Sequence, residues 1–152
     1  METRATVEAS DGRHSRFSKK LYTLTIGGGV VFWATTIATS LLPIAADYRA
    51  AGSGYSIRTV WVDSLLVGMI IGCLVSYSLL RFFDKIPTKN PILKSEIMIF
   101  IALVIALLLI EVPASFRTSD ALYYFLIGAM LNVPRFLLLG LVIGYLYKRS
   151  YG

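Results

Sequence analysis

The chain has 152 residues, of which 56% are apolar and only 16% are charged, and its formal net charge is +6. A soluble domain usually carries about 25% charged residues. With one cysteine, this composition excludes a disordered chain, a disulfide scaffold and an ordinary water-soluble enzyme domain. Four long apolar stretches account for the excess of apolar residues. They predict a small integral membrane protein whose main partner is the lipid bilayer.

The first apolar stretch, 21–46, contains no charged residue. It follows a polar, basic segment, 1–20, which is expected to be a mobile N-terminal tail. A helix needs about 20 apolar residues to cross the hydrocarbon layer, so this stretch is long enough to span. The apolar part of a cleaved signal peptide is shorter, about 7–15 residues. We therefore predict a retained span rather than a signal peptide.

The second and fourth stretches each contain an ionisable residue. The second, 59–80, is interrupted only by Asp63, and the fourth, 121–147, has Arg135 near its middle. Residues 148–152 follow as a short C-terminal tail. Both stretches are long enough to span a membrane.

The third stretch, 95–116, is the least regular. Only 14 uncharged residues separate Glu96 from Glu111. They reach about 21 Å as a helix, less than the hydrocarbon thickness of about 30 Å. Either a glutamate lies within the apolar layer, or this segment is re-entrant. We predict that it spans, which gives one transmembrane domain over 21–147, an all-α four-helix bundle with short loops.

The distribution of Lys and Arg predicts the orientation of this bundle, because basic loops stay on the cytoplasmic side. Only Arg49, Arg58 and Arg117 lie in the two connections on one side. The tails and the connection between the second and third spans hold nearly all the others. We therefore predict a protein of the cytoplasmic membrane with both termini in the cytoplasm.

A basic cluster precedes the first span and consists of Arg13, Arg16, Lys19 and Lys20. Such clusters act as positive-inside anchors, and they also attract anionic lipids by about 1 kcal/mol per charge. A nucleic-acid-binding protein needs its basic residues on a folded aqueous face. Because the basic residues here flank the spans, nucleic acid is not a predicted partner.

Small residues recur every four positions in two of the spans. Close approach of small residues is a main attraction between helices in lipid. We expect the second span to lie at the centre of the bundle and to contact a neighbouring helix closely, either within the chain or in a second copy, and the chain to form a homo-oligomer or join a larger membrane complex. The predicted helix-packing residues are Ser64, Gly68, Gly72, Ser76, Gly140 and Gly144.

Arg135 is the most informative residue, because a charge at the membrane centre costs at least about 2.5–3.5 kcal/mol and needs a partner or a wet cavity. The Arg135 side chain leans toward the start of its helix, and the side chain of Glu111 leans toward Arg135. The side chain of Asp63 leans away from Arg135. We predict an intramembrane polar site of Arg135, Glu111, Asp63 and Asn132, in which Glu111 is the preferred partner of Arg135.

The sequence contains no recognisable catalytic or metal-binding motif. Its one histidine, His14, lies in the N-terminal tail, so that no cofactor or metal site and no enzymatic activity are predicted. Two hypotheses remain. The first is a structural or accessory bundle that self-associates or joins a larger complex. The second is a small ion or solute transporter or channel centred on Arg135, Glu111 and Asp63.

Overall fold

The computed structural model describes residues 2–52 and 56–151 of the chain. The protein is 90% helical, and the part that the structure describes contains no strand. Four of its helical segments are long and apolar enough to cross a membrane, in agreement with the four predicted spans: Ser15–Ser40, Ile57–Lys85, Pro91–Ser115 and Ala121–Ser150.

The helical elements follow one another with short connections. They are α1 (Glu2–Ser40), α2 (Pro43–Gly52), α3 (Ile57–Phe82) with a 3₁₀ turn (Phe83–Lys85), α4 (Pro91–Ala106), a π-helical segment (Leu107–Glu111), α5 (Val112–Ser115) and α6 (Ala121–Tyr151). Side chains cap two of the long helices, since Ser56 accepts a hydrogen bond from the amide of Thr59 and Asn90 accepts one from the amide of Ile92.

The helix that contains most of the first predicted span ends six residues before the predicted end of that span. Helix α1 stops at Ser40, and Pro43 begins the short helix α2. Proline has no amide hydrogen, and its ring would clash with the carbonyl of Thr39 if α1 continued through it. Proline is favoured at the first position of a helix, which explains why α2 begins there.

At its other end, α1 extends back to Glu2 and includes most of the predicted tail. Arg16 and Lys19 of the basic cluster are exposed on this extension, ahead of the most apolar part of the helix. Met1 lies outside the described residues. The mobility of the segment 1–20 stays a prediction.

The third span is a continuous helical segment in which one turn widens. The π-helical segment lies between α4 and α5, just before Pro113, which cannot donate to the carbonyl of Leu109. Within it Leu108, Leu109 and Ile110 face outward, whereas Glu111 is only 7% exposed. The widened turn thus lies where the chain directs a carboxylate into the bundle, a position that π-bulges often occupy near functional sites.

The four long helices form a ring in the order α3, α1, α6 and α4. Helix α3 packs mainly against α1, while α6 packs against both α1 and α4. The second span is therefore not central, contrary to the expectation from its small residues. The core lies between these helices and consists of Leu24, Phe32, Val75, Leu79, Ile99, Leu103, Phe136, Leu139 and Ile143.

The small residues of α3 are used within one chain. Ser64, Gly68, Gly72 and Ser76 are all buried. A Cβ atom on Gly72 would lie 3.1 Å from the carbonyl oxygen of Thr25, so the backbones of α1 and α3 are almost in contact. This face is therefore occupied by α1 and does not lie open to a second copy.

Helices α4 and α6 approach each other just as closely. A Cβ atom on Gly144 would lie 2.6 Å from the Cα atom of Ile92, and Gly140 lies against Glu96 and Ile99. Ser95, which is fully buried, donates a hydrogen bond of 2.8 Å to the carbonyl of Gly140. Two glycines and one serine thus fix the separation of these two helices.

Candidate functional site

Three of the four predicted polar residues, Glu111, Asn132 and Arg135, lie together near the end of the bundle at which α1 ends, α3 and α6 begin, and α2 packs against α6; we call this the α2 end. Helix α2 is held there by an apolar cluster of Ala45, Ile127 and Leu131, against which Ile44, Tyr48 and Tyr124 pack. Trp61 at the start of α3 donates to the hydroxyl of Ser40 (2.9 Å), and Trp33 donates to the carbonyl of Trp61 (3.0 Å). These contacts fix the end of α1 beside α3.

Glu111 is buried with both carboxylate oxygens hydrogen-bonded. Tyr48 donates to Oε2 at 2.5 Å, and the side-chain amide of Asn132 donates to Oε1 at 2.7 Å. Gly128 faces the same carboxylate, and a Cβ atom there would overlap Oε2. The glycine therefore makes room for the buried carboxylate, and two neutral donors replace the water it loses.

Arg135 lies next to this carboxylate but does not touch it. Its Nε donates to the hydroxyl of Thr39 (3.0 Å), and its Nη1 donates to the side-chain oxygen of Asn132 (3.3 Å). In the described part of the chain, no nitrogen–oxygen contact of ion-pair length joins Arg135 to Glu111. Asn132 instead bridges the two, because it accepts from the cation and donates to the anion.

Asp63 does not belong to this network. It lies on the exposed side of α3, next to Ser64, which faces α1. Successive residues of a helix point about 100° apart, so a buried Ser64 directs Asp63 away from the bundle. Of the four residues predicted for the site, the structure therefore brings together Glu111, Asn132 and Arg135 but not Asp63.

Two further residues of the candidate site, Tyr48 and Arg49, could not be recognised from the sequence, because their segment was predicted to be a connection. Burial first, and then the hydrogen bond to Glu111, raise the pKa of Tyr48 well above the usual value, so its hydroxyl remains a proton donor. Arg49 donates to the carbonyl of Ser40 at 2.9 Å. Pro43 followed by a run of helix-compatible residues was the signal for this short helix.

A half-enclosed cavity of about 190 Å³ lies beneath α2. This volume is far above the roughly 10–15 Å³ that one water needs. Its polar part includes two guanidinium groups and one carboxylate, and part of its lining is apolar. The lining residues are Ser40, Ala45, Tyr48, Arg49, Val60, Glu111, Gly128, Leu131, Asn132 and Arg135.

The donor set of the cavity does not suit a metal ion. Among the residues that the structure describes, no group of three His, Cys, Asp or Glu side chains could hold one. Around Glu111 the neighbouring polar groups are hydrogen-bond donors, which compete with a cation for its oxygens.

No family model matches the chain, and no curated protein or solved structure matches it either. The geometry of the cavity at the α2 end therefore carries the functional conclusion by itself.

Proposed function

We propose that the chain is a non-enzymatic protein of the cytoplasmic membrane, with four spans and both termini in the cytoplasm. The four apolar helices and the concentration of Lys and Arg at one side support this orientation. The α2 end, with Arg49, Arg58 and Arg117, then faces outward.

The orientation is tested with reporter fusions. A reporter that is active only in the cytoplasm should work when fused to either terminus, and it should fail when inserted after Gly52. A fusion at one terminus that reports the opposite side would contradict an arrangement with an even number of spans.

We propose further that the protein transports a small polar solute or ion through the cavity at the α2 end. The observation that carries this proposal is that the cavity reaches Arg135. A purely structural arginine in a membrane is expected to be sealed against an acid, because an unpaired charge there is costly. Here the guanidinium group donates to the described residues through Nε and Nη1 alone, and the cavity lies against it.

A second candidate function, a structural or accessory subunit, is favoured by a different observation. Glu111 has both oxygens satisfied and ties α2, the π-helical segment and α6 together. Such a network also serves to fix helix positions. In that case the chain self-associates or joins a larger complex through its lipid-facing surface, since α1 already covers the small residues of α3.

A flux assay separates the two candidates. Purified protein in proteoliposomes is compared with its Arg135→Ala variant across a panel of labelled anions, cations and neutral solutes. Arg117→Ala is the matched control, because this arginine is exposed at the same end and does not line the cavity.

We expect flux of one solute class to fall at least about tenfold in Arg135→Ala, the loss that follows from one missing charged hydrogen bond. The control should keep wild-type flux. Elution as a single species and an unchanged helical signal would show that the variant is folded. If folded Arg135→Ala matches wild type for every solute, the transporter proposal is wrong.

A further inference from the structure

The charged groups that line the cavity do not balance. Arg49 and Arg135 contribute two positive charges, whereas Glu111 contributes one negative charge. Asp63, the other acid of the predicted site, is exposed elsewhere on α3. A surplus positive charge in a half-enclosed and partly apolar site is costly, and a bound anion with one negative charge would cancel it.

The hydrogen-bonding capacity of the cavity is unbalanced in the same direction. An arginine has five N–H donors. Arg135 places one bond on Thr39 and one on Asn132, and Arg49 places one on the carbonyl of Ser40 in the described part of the chain. With respect to residues 2–52 and 56–151, most N–H groups of both guanidinium groups are therefore left for a ligand.

The acceptors of the cavity are already occupied. Both oxygens of Glu111 carry a donor, and the side-chain oxygen of Asn132 accepts from Arg135. Ser40 accepts from Trp61. A cation entering the cavity would have to displace these donors and approach two guanidinium groups, so the donor-rich lining disfavours a cation.

From this imbalance we propose that the cavity binds a small anion of single negative charge, a halide, a carboxylate or a singly charged oxyanion, between the guanidinium groups of Arg49 and Arg135. The planar guanidinium fork matches carboxylates and oxyanions. The apolar lining residues Ala45, Val60 and Leu131 suit a ligand with a small nonpolar part. This inference names the solute class for the proposed transport site and rests on that proposal.

Anion binding is measured on the purified protein in nanodiscs of neutral phosphatidylcholine. Sodium acetate, sodium nitrate and sodium chloride are each titrated, and the melting temperature is recorded as the readout of binding. Two variants, Arg135→Gln and Arg49→Gln, remove the proposed ligands one at a time. Arg117→Gln is the matched control, because it removes the same charge at the same end.

We expect at least one anion to raise the melting temperature of the wild type and of Arg117→Gln in a saturable manner. Its apparent affinity should fall about tenfold or more in each ligand variant, the loss expected for one charged hydrogen bond. Because Arg49 lies on the short helix α2, Arg49→Gln keeps the test decisive if Arg135→Gln does not fold. No saturable shift with any anion, or equal shifts in all variants, overturns the proposal.

Glu111→Gln gives a test of opposite sign. The substitution removes the negative charge that lies in the same cavity as the ligand, so anion affinity should rise by about threefold or more. A cation site would instead lose its only carboxylate and with it all binding. An increase in anion affinity supports the anion site. If a cation stabilises the wild type in a saturable manner and Glu111→Gln abolishes this effect, the anion site is wrong.

Two further comparisons complete the test. One distinguishes a lipid phosphate from a free anion, and the other distinguishes the anion site from the proposed transport. If stabilisation appears only when nanodiscs contain phosphatidylglycerol, and needs both arginines, the anionic group is a lipid phosphate; if free anions suffice, it is a solute. Anion binding without flux would refute transport and leave the anion site standing. Arginine-dependent flux of cations alone would refute the anion site and leave transport standing.

Discussion

Replacing Gly144 by alanine should lower the free energy of unfolding by about 1–3 kcal/mol, the usual cost of overpacking. The added methyl would lie 2.6 Å from the Cα atom of Ile92, closer than Cβ atoms come to backbone atoms. Because backbone cannot rotate away as a side chain can, α4 and α6 must separate. The separation would also lengthen the hydrogen bond from Ser95 to Gly140. Thermal unfolding in detergent measures the loss.

Gly27→Ala is the matched control for this experiment. A Cβ atom on Gly27 would meet only the terminal methyl of Leu146, which can turn aside. Alanine also favours the helix by up to about 1 kcal/mol relative to glycine. We therefore expect the control to be as stable as the wild type or slightly more stable. Equal melting temperatures for the two variants would contradict the close α4–α6 contact.

Replacing Gly128 by alanine should both destabilise the protein and abolish the proposed transport through the cavity. The new methyl would occupy the position of Glu111 Oε2 and would lie 3.0 Å from the hydroxyl of Tyr48. The carboxylate must then move and give up at least one hydrogen bond in a buried site. Such a loss costs about 1.5–3 kcal/mol, because the acceptor is charged. Thermal unfolding and the flux assay record the two effects.

A double-mutant cycle tests the cause of this destabilisation. In the background Glu111→Ala the carboxylate is absent, so the methyl of Gly128→Ala overlaps no carboxylate and approaches the Tyr48 hydroxyl, which has lost its acceptor and can move aside. We expect the second substitution to change stability there by less than about 0.5 kcal/mol, whereas it acts fully in the wild type. Additive effects would mean that the glycine serves some purpose other than housing the carboxylate.

The four long helices could be predicted from the sequence, because hydrophobic length is enough to indicate a candidate span. The third candidate span could be predicted although its uncharged part is short. Helix runs through both glutamates, and Glu111 is tolerated because Tyr48 and Asn132 satisfy it. The position of the widened turn before Pro113 could not be predicted, because it depends on packing against α6 and not on local propensity alone.

The order of the helices could not be predicted from the small residues. The spacing from Ser64 to Ser76 indicated a closely packed face but did not indicate what would cover it. Several helices offer small residues, and α1 supplies Thr25 and Gly29 at the matching height. Helix α1 of the same chain therefore covers this face, and α3 is one of the four helices of the ring rather than a central helix.

Part of the polar site could be predicted, because charges inside an apolar span are rare and need partners. That reasoning placed Glu111, Asn132 and Arg135 together. It failed for Asp63, since a one-residue rotation from a packed serine turns the side chain outward. It also missed Tyr48 and Arg49, because their positions depend on α1 ending before Pro43 and on α2 packing against α6.

The central claim is that a water-accessible cavity extends from the α2 end down to Arg135, and thiol accessibility tests it most directly. Leu131 lines the cavity, whereas Leu139, two turns further along α6, lies in the sealed core. Each is replaced by cysteine in a Cys73→Ala background, since Cys73 is exposed. A membrane-impermeant methanethiosulfonate reagent should modify L131C at least about tenfold faster than L139C, because a thiol reacts as the thiolate, which needs water. Equally slow modification of both variants in intact proteoliposomes would contradict the cavity and, with it, the proposed site.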